Sequence, residues 1–164
     1  MKKILFFYTL LISTISFSQE DSETIFWDNV QFGGAFGLGF GNNSTTIAIA
    51  PNAIYNFNSN FALGLGLGYQ YAKQGDFKNN VYSTSILSFY NPVEEVQISA
   101  EFEQLFVNRT FEGSKDNFSY PALYLGTGYR VGRNISIGFR YDILFDKSKS
   151  IYASAFSPVF RVFF

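Results

Sequence analysis

The sequence predicts an all-β fold: a single closed, antiparallel up-and-down transmembrane β-barrel of eight strands, with its bulky apolar side chains facing outward. Three observations predict it. Bulky apolar residues alternate with small or polar ones at period two in segment after segment, which is the spacing of a strand. Aromatic residues make up 20% of the 164 positions and charged residues only 15%, against roughly 25% charged in an ordinary soluble domain. The connections between alternating segments differ in kind, short turns taking turns with more polar and often longer stretches, as in barrels with tight turns on one side of a membrane and loops on the other.

Taken in chain order, Lys2 and Lys3, the apolar run Ile4 to Ile12, and the small residues Ser16 and Ser18 around Phe17 form a secretory signal pattern with cleavage expected after Ser18. The run is shorter than the roughly 20 apolar residues a spanning helix needs. Residues 1–18 are therefore expected as signal peptide, 19–27 as a periplasmic N-terminal segment, and 28–164 as the barrel.

The first ribbon, 31–41, sets Phe32, Phe36, Leu38 and Phe40 against Gln31, Gly33, Ala35 and Gly37. In the second, 45–57, Ile47, Ile49, Pro51, Ala53, Tyr55 and Phe57 oppose Thr46, Ala48, Ala50, Asn52 and Asn56. The third, 61–71, alternates Phe61, Leu63, Leu65, Leu67, Tyr69 and Tyr71 with Ala62, Gly64, Gly66, Gly68 and Gln70. The fourth, 81–90, holds Val81, Tyr82, Ile86, Leu87, Phe89 and Tyr90 without a clean parity, which leaves its facing open. The fifth, 96–104, sets Val96, Ile98, Ala100 and Phe102 against Gln97, Ser99, Glu101 and Glu103. In the sixth, 121–130, Leu123, Leu125 and Tyr129 oppose Ala122, Tyr124, Gly126, Gly128 and Arg130. The seventh, 135–144, sets Ile135, Ile137, Phe139, Tyr141 and Ile143 against Ser136, Gly138, Arg140 and Asp142. The eighth, 151–164, ends with Phe156, Phe160, Val162 and Phe164 opposite Ser157, Val159, Arg161 and Phe163. Pro51, Pro121 and Pro158 fall within or at the start of ribbons; a proline cannot donate to a ladder, so each marks a place where a bulge would flip the parity beyond it. Tight turns are expected at 58–60, 91–95 and 131–134, and the other connections at 42–44, 72–80, 105–118 and 146–150.

The facing of the ribbons decides the class. With the bulky set inside, the outer wall would be mostly glycine with few charges, whereas a soluble exterior is rich in Lys and Glu. With the bulky set outside, Phe, Leu and Ile meet lipid. Tyr55, Phe57, Phe61, Tyr129 and Phe164 then gather at one rim, and Phe40, Tyr69, Tyr71, Tyr82, Tyr141 and Tyr152 at the other, as two aromatic girdles. Glu101, Glu103, Arg140, Asp142 and Arg161 all take the lumen-facing parity. Their expected role is an interior polar network that plugs a barrel just wide enough for side chains to fill it; the alternative role for the same groups is a proton or ion path.

Several chemistries are excluded by residue type. The chain has no Cys and no His, which removes disulfides, thiol nucleophiles, thiolate or imidazole zinc sites and imidazole bases. The glycine runs repeat at strict period two rather than as a phosphate-cradling loop. No basic cluster points to nucleic acid. Glu112, Asp116 and Asn117 read as a solvated loop rather than a cation site. No enzyme activity, cofactor or metal is expected.

The signal peptide, glycine-alternating stretches such as Phe36-Gly37-Leu38-Gly39-Phe40 and Leu63-Gly64-Leu65-Gly66-Leu67-Gly68-Tyr69, the Gly-Tyr strand endings at Gly68-Tyr69 and Gly128-Tyr129, and the terminal Phe160-Arg161-Val162-Phe163-Phe164 together resemble the small outer-membrane β-barrels of the OmpA membrane-domain and OmpX type, in the form seen in Bacteroidota. The resemblance covers residues 28–164. It implies location in the outer membrane, contact with outer-membrane lipid and lipopolysaccharide, and recognition by the barrel-assembly machinery through Phe156, Phe160, Val162 and Phe164. Because the family hosts varied roles, fold does not give function. The expectation is a structural or surface-interaction protein acting through its extracellular loops on an unknown ligand, with loop 105–118 (Leu105, Phe106, Arg109, Phe111, Phe118) as the contact surface. The alternatives are a narrow pore or small-solute or proton transporter, and a soluble periplasmic lipocalin-like binding barrel.

Overall fold

The structure, a computed structural model, describes residues 23–164 apart from Asn42, Glu112, Arg133 and Ala153. The expected signal peptide and its cleavage site, and the Glu112 assignment, lie outside the described residues. Two units separate at the start of the first strand. The first holds a short helix α1 (Glu23–Asp28), whose Phe26 and Trp27 rings meet edge to face.

The second unit is a closed barrel in which eight antiparallel strands neighbour one another in chain order: β1 (Val30–Gly41), β2 (Ser44–Asn56), β3 (Phe61–Gln74), β4 (Phe77–Val93), β5 (Val96–Phe111), β6 (Ser114–Val131), β7 (Ile135–Asp142) and β8 (Phe156–Phe163). The period-two pattern sets the facing. Phe36, Leu65, Leu67, Ile86, Leu125, Ile137 and Phe139 are exposed on the outer wall, while their chain neighbours turn into the lumen. β4 resolves the same way, with Val81, Ser83, Ser85, Leu87 and Phe89 inward and Tyr82, Thr84, Ile86 and Tyr90 outward; serines on both faces had blurred its alternation.

None of the three prolines produces a bulge. Pairing keeps one register from Ser44↔Gln74 through Asn56↔Ala62 on either side of Pro51, runs unbroken through Gln104↔Pro121, and again through Phe139↔Pro158. All three stand on the outer wall. The irregularity falls instead between Tyr90 and Val93, around the fourth proline, Pro92.

Two expected loops are corrected. Residues 72–80 and 105–118 are not loops but the ends of long hairpins, β3–β4 and β5–β6, with tight turns at Gly75-Asp76 and at Gly113. Gly75 (φ 60°) and Gly113 (φ 84°) supply the positive φ these turns require. The reason is an inversion of the hydrophobic pattern. Beyond Tyr82 and Phe106 the outward positions become polar (Asn80, Asn108, Ser119) while the inward ones are apolar and buried (Val81, Leu105, Val107, Tyr120). The strand continues where the outward apolar signal that defined it stops. Conversely β7 and β8 are shorter than expected, and residues 143–155 form the one long connection among the described residues.

Candidate functional site

The lumen is packed in layers, counted from the end that carries the tight turns after β2, β4 and β6. The first layer is apolar: Ile54, Ala62, Leu87, Phe89 and Phe163, with the Phe89 and Phe163 rings edge to face at 6.0 Å. Asn134 closes this end onto β8, its side-chain NH₂ donating to the Phe163 carbonyl at 2.7 Å and its own carbonyl accepting the Phe163 N–H at 2.8 Å.

Above it sits an ion cluster. Glu101, 3% exposed, is the centre. Its Oε2 accepts from Arg140 Nη1 at 2.9 Å, and its Oε1 accepts from Ser99 Oγ at 2.8 Å and from the Arg161 guanidinium. Each arginine also lies against a ring, Arg140 over Tyr124 at 3.9 Å and Arg161 over Phe89 at 5.3 Å. Strand geometry brings these groups together: Ser99 and Glu101 share a face of β5, and Gly126 on β6, paired with Ser99 on one side and Arg140 on the other, leaves the room where a Cβ would run into the Ser99 hydroxyl.

Not every expected member joins. Asp142 is buried but faces the backbone, accepting the N–H of Leu123 at 3.1 Å and of Leu144 at 3.0 Å, so it caps the end of β7 rather than pairing with an arginine. Glu103 lines the lumen one inward position above Glu101 with no ion pair or hydrogen bond among the described residues.

The third layer is apolar again: Val81, Leu105, Val107, Tyr120, Ala122 and Tyr124, with Phe118, Ile151 and Tyr152 packed against it. Ile151 and Tyr152 belong to the 143–155 connection, which folds into the barrel mouth. The Ile151 N–H donates to Tyr120 Oη at 3.1 Å and Tyr152 Oη donates to Gln70 Oε1 at 3.4 Å. Tyr152 is thus corrected from the outer girdle to the lumen. The exposed part of this connection is fixed by Asp146, which accepts from the Ser148 hydroxyl at 2.6 Å and its N–H at 2.9 Å; these bonds hold the Asp146 carboxyl below the usual carboxylate range.

The expected contact residues lie on the β5–β6 hairpin. Arg109 covers the Phe118 ring at 5.0 Å, Phe111 stacks on Phe77 of β4 at 3.9 Å, Phe106 is exposed and Leu105 is fully buried in the third layer. Phe156, Phe160 and Phe164 are exposed on the outer wall, and Val162 shares their parity half-buried. The two apolar layers were missed from the sequence, and their signal was present: Ile54, Leu87, Phe89 and Phe163 of the first and Val81, Leu105 and Val107 of the third are bulky residues on the lumen-facing parity.

No protein-family model matches the chain. No curated protein matches it either. Among solved structures it is similar to the crystal structure of Neisserial surface protein A (NspA), at 19% sequence identity and a TM-score of 0.45, over 82% of this chain and 96% of that one.

Proposed function

We propose that this chain is an integral outer-membrane β-barrel, of the OmpA and OmpX type in Bacteroidota, with a structural or surface-interaction role and no enzymatic one. The observation that carries the reading is the outer wall. Phe36, Leu38, Leu65, Leu67, Ile86, Phe139 and Phe160 form an exposed apolar belt, flanked by aromatic pairs such as Tyr55–Phe57 (5.0 Å) at one rim and Tyr69–Tyr82 (5.3 Å) at the other. A water-soluble barrel would have to solvate all of it. A closed ladder, with its backbone groups paired strand to strand, is what hydrocarbon demands. Lipid and lipopolysaccharide would meet the belt, and the barrel-assembly machinery would read Phe156, Phe160, Val162 and Phe164.

The layered lumen supports a plugged barrel, since an ion cluster lies between two apolar layers with Tyr152 and Ile151 over the second. Contact with an extracellular partner would fall to the β3–β4 and β5–β6 hairpin ends, where Arg109, Phe111, Phe118 and Phe77 are grouped by ring contacts. Planar-bilayer recording tests the plug: the purified barrel is expected to give no conductance steps, and Arg161→Ala to add few. Steady ion-selective steps altered by Glu103→Gln would instead establish the transport reading, which the cavity beside Glu101 and Glu103 favours.

A further inference from the structure

The outer wall changes character along the β3–β4 and β5–β6 hairpins, and the strand register arranges that change in rows. In the apolar belt the outward residues opposite one another are Leu65, Ile86 and Phe102, and nearer the hairpin ends Tyr69, Tyr82 and Phe106. Two residues further along each strand come Tyr71, Asn80, Asn108 and Asn117, each opposite the next. Tyr69 Oη donates to Asn80 Oδ1 at 3.0 Å and ties this amide row to the aromatic one beside it. Two residues further again stand Thr45, Lys73, Lys78, Thr110 and Lys115, one from each of β2 to β6. The strands hold no lysine outside this row.

The lysine row is uncompensated. Lys73 and Lys78 are directly opposite across β3 and β4, where like charges destabilise a sheet. Asp116 takes the inward parity and Asp76 stands in the turn; among the described residues no ion pair joins any of the three lysines to an acid. At about 4.8 Å between strands, Lys73 and Lys78 can share one anionic group, and Lys115, two strands beyond Lys78, meets a second about 10 Å away. Height limits what carries these anions. The lysine row lies four residues beyond the aromatic row, about 13 Å along the strands and about 10 Å along the membrane normal at a tilt of about 40°. Aromatic girdles sit at head-group level, in an interface about 5–7 Å deep on each side. The phosphate of a phosphoglycerolipid therefore lies near the rings and short of the lysines. A head group the size of a disaccharide reaches them, with its hydroxyls at the height of the asparagine amides.

We infer that the outer face of β3–β6 docks a phosphorylated glycolipid of the outer leaflet, its chains along the apolar belt, its sugar hydroxyls at the asparagine row, and its two phosphates at Lys73–Lys78 and at Lys115. The inference rests on the membrane reading above and deepens its lipopolysaccharide contact, and the test separates the two. The full chain is first refolded into uncharged maltoside micelles and checked for a heat-modifiable gel shift; absence of the shift overturns the membrane reading. Folded protein is then titrated with an acylated glucosamine disaccharide bearing two phosphates, and complexes are counted by native mass spectrometry after release from the micelle. A saturating one-to-one complex is expected. Lys73→Gln combined with Lys78→Gln is expected to weaken it about tenfold, and Lys115→Gln about threefold. Removing both phosphates from the probe tests the same contact with the protein unchanged, and is expected to cost at least as much as the lysine pair. Lys147→Gln combined with Lys149→Gln takes two charges from the 143–155 connection instead and is expected to change nothing. Phosphatidylglycerol and inorganic phosphate at matched concentration are expected not to displace the probe. A dephosphorylated probe retained as well as the parent, equal losses from the two lysine pairs, or displacement by phosphatidylglycerol or phosphate overturns the proposal.

Discussion

Glu101 is the residue on which the lumen turns. Removing it leaves two guanidinium groups in the lumen without their shared carboxylate, and breaking such a pair on one side costs about 3–5 kcal/mol. Glu101→Ala is therefore expected to lower stability by that amount in urea unfolding from vesicles. The combined replacement Glu101→Leu, Arg140→Met and Arg161→Met is expected to restore most of it, because packed apolar groups of similar volume avoid the desolvation that the ion cluster bears. A second test is steric. Gly138 faces Gly128 across β6 and β7, and a methyl on it would run into the Thr127 carbonyl, so Gly138→Ala is expected to cost about 1–3 kcal/mol in the same assay. At this scale parity was readable in the sequence and partnership was not. The alternation put Glu101, Glu103, Arg140, Asp142 and Arg161 on one face, but strand-to-strand distances and strand ends decide that Glu101 meets both arginines while Asp142 caps Leu123 and Leu144.

Among the elements, the connection 143–155 is the one whose structure was least legible. Its residues Ile151 and Tyr152 read as strand, and Tyr152 as a girdle residue, because an apolar residue followed by a tyrosine looks the same whether it faces lipid or a barrel mouth. Tyr120 supplies the acceptor that holds it, so Tyr120→Phe, worth about 1 kcal/mol for the lost hydrogen bond, is expected to speed amide exchange at Ile151 about fivefold. The outer part of the connection carries a pH signature. Its Asp146 carboxyl titrates below an ordinary Asp near pKa about 3.9, so its bonds to Ser148 stabilise the turn above that value and are lost as pH falls through the lower folded one. Exchange at Ser148 is expected to rise only in that acid window. The long hairpins were under-read for a related reason. Outward positions change from apolar to polar at Tyr82 and Phe106, so a rule that follows the outward apolar stripe ends the strand where the outer apolar belt ends. That inversion is itself informative, since Val81, Leu105 and Val107 are buried together on the inner face while the outer face beside them turns polar.

At the scale of the whole molecule, strand count, order and facing followed from period two, glycine placement and low charge, and the structure has the same eight strands in the same order. Which face meets lipid has a direct energetic consequence. Leu65→Lys and Ile86→Lys place a charge in the middle of the apolar belt and are expected to cost about 2–4 kcal/mol each in a bilayer, whereas on a water-facing wall both would be close to neutral. The most direct test is simpler. The full chain is expressed, the cell envelope is fractionated, and the outer-membrane fraction is run on a gel with and without boiling. Recovery only with detergent, with a band that shifts on heating, is the predicted result; recovery in the aqueous periplasmic fraction as an unshifted band would contradict the membrane barrel and turn the apolar belt into an unexplained water-facing wall.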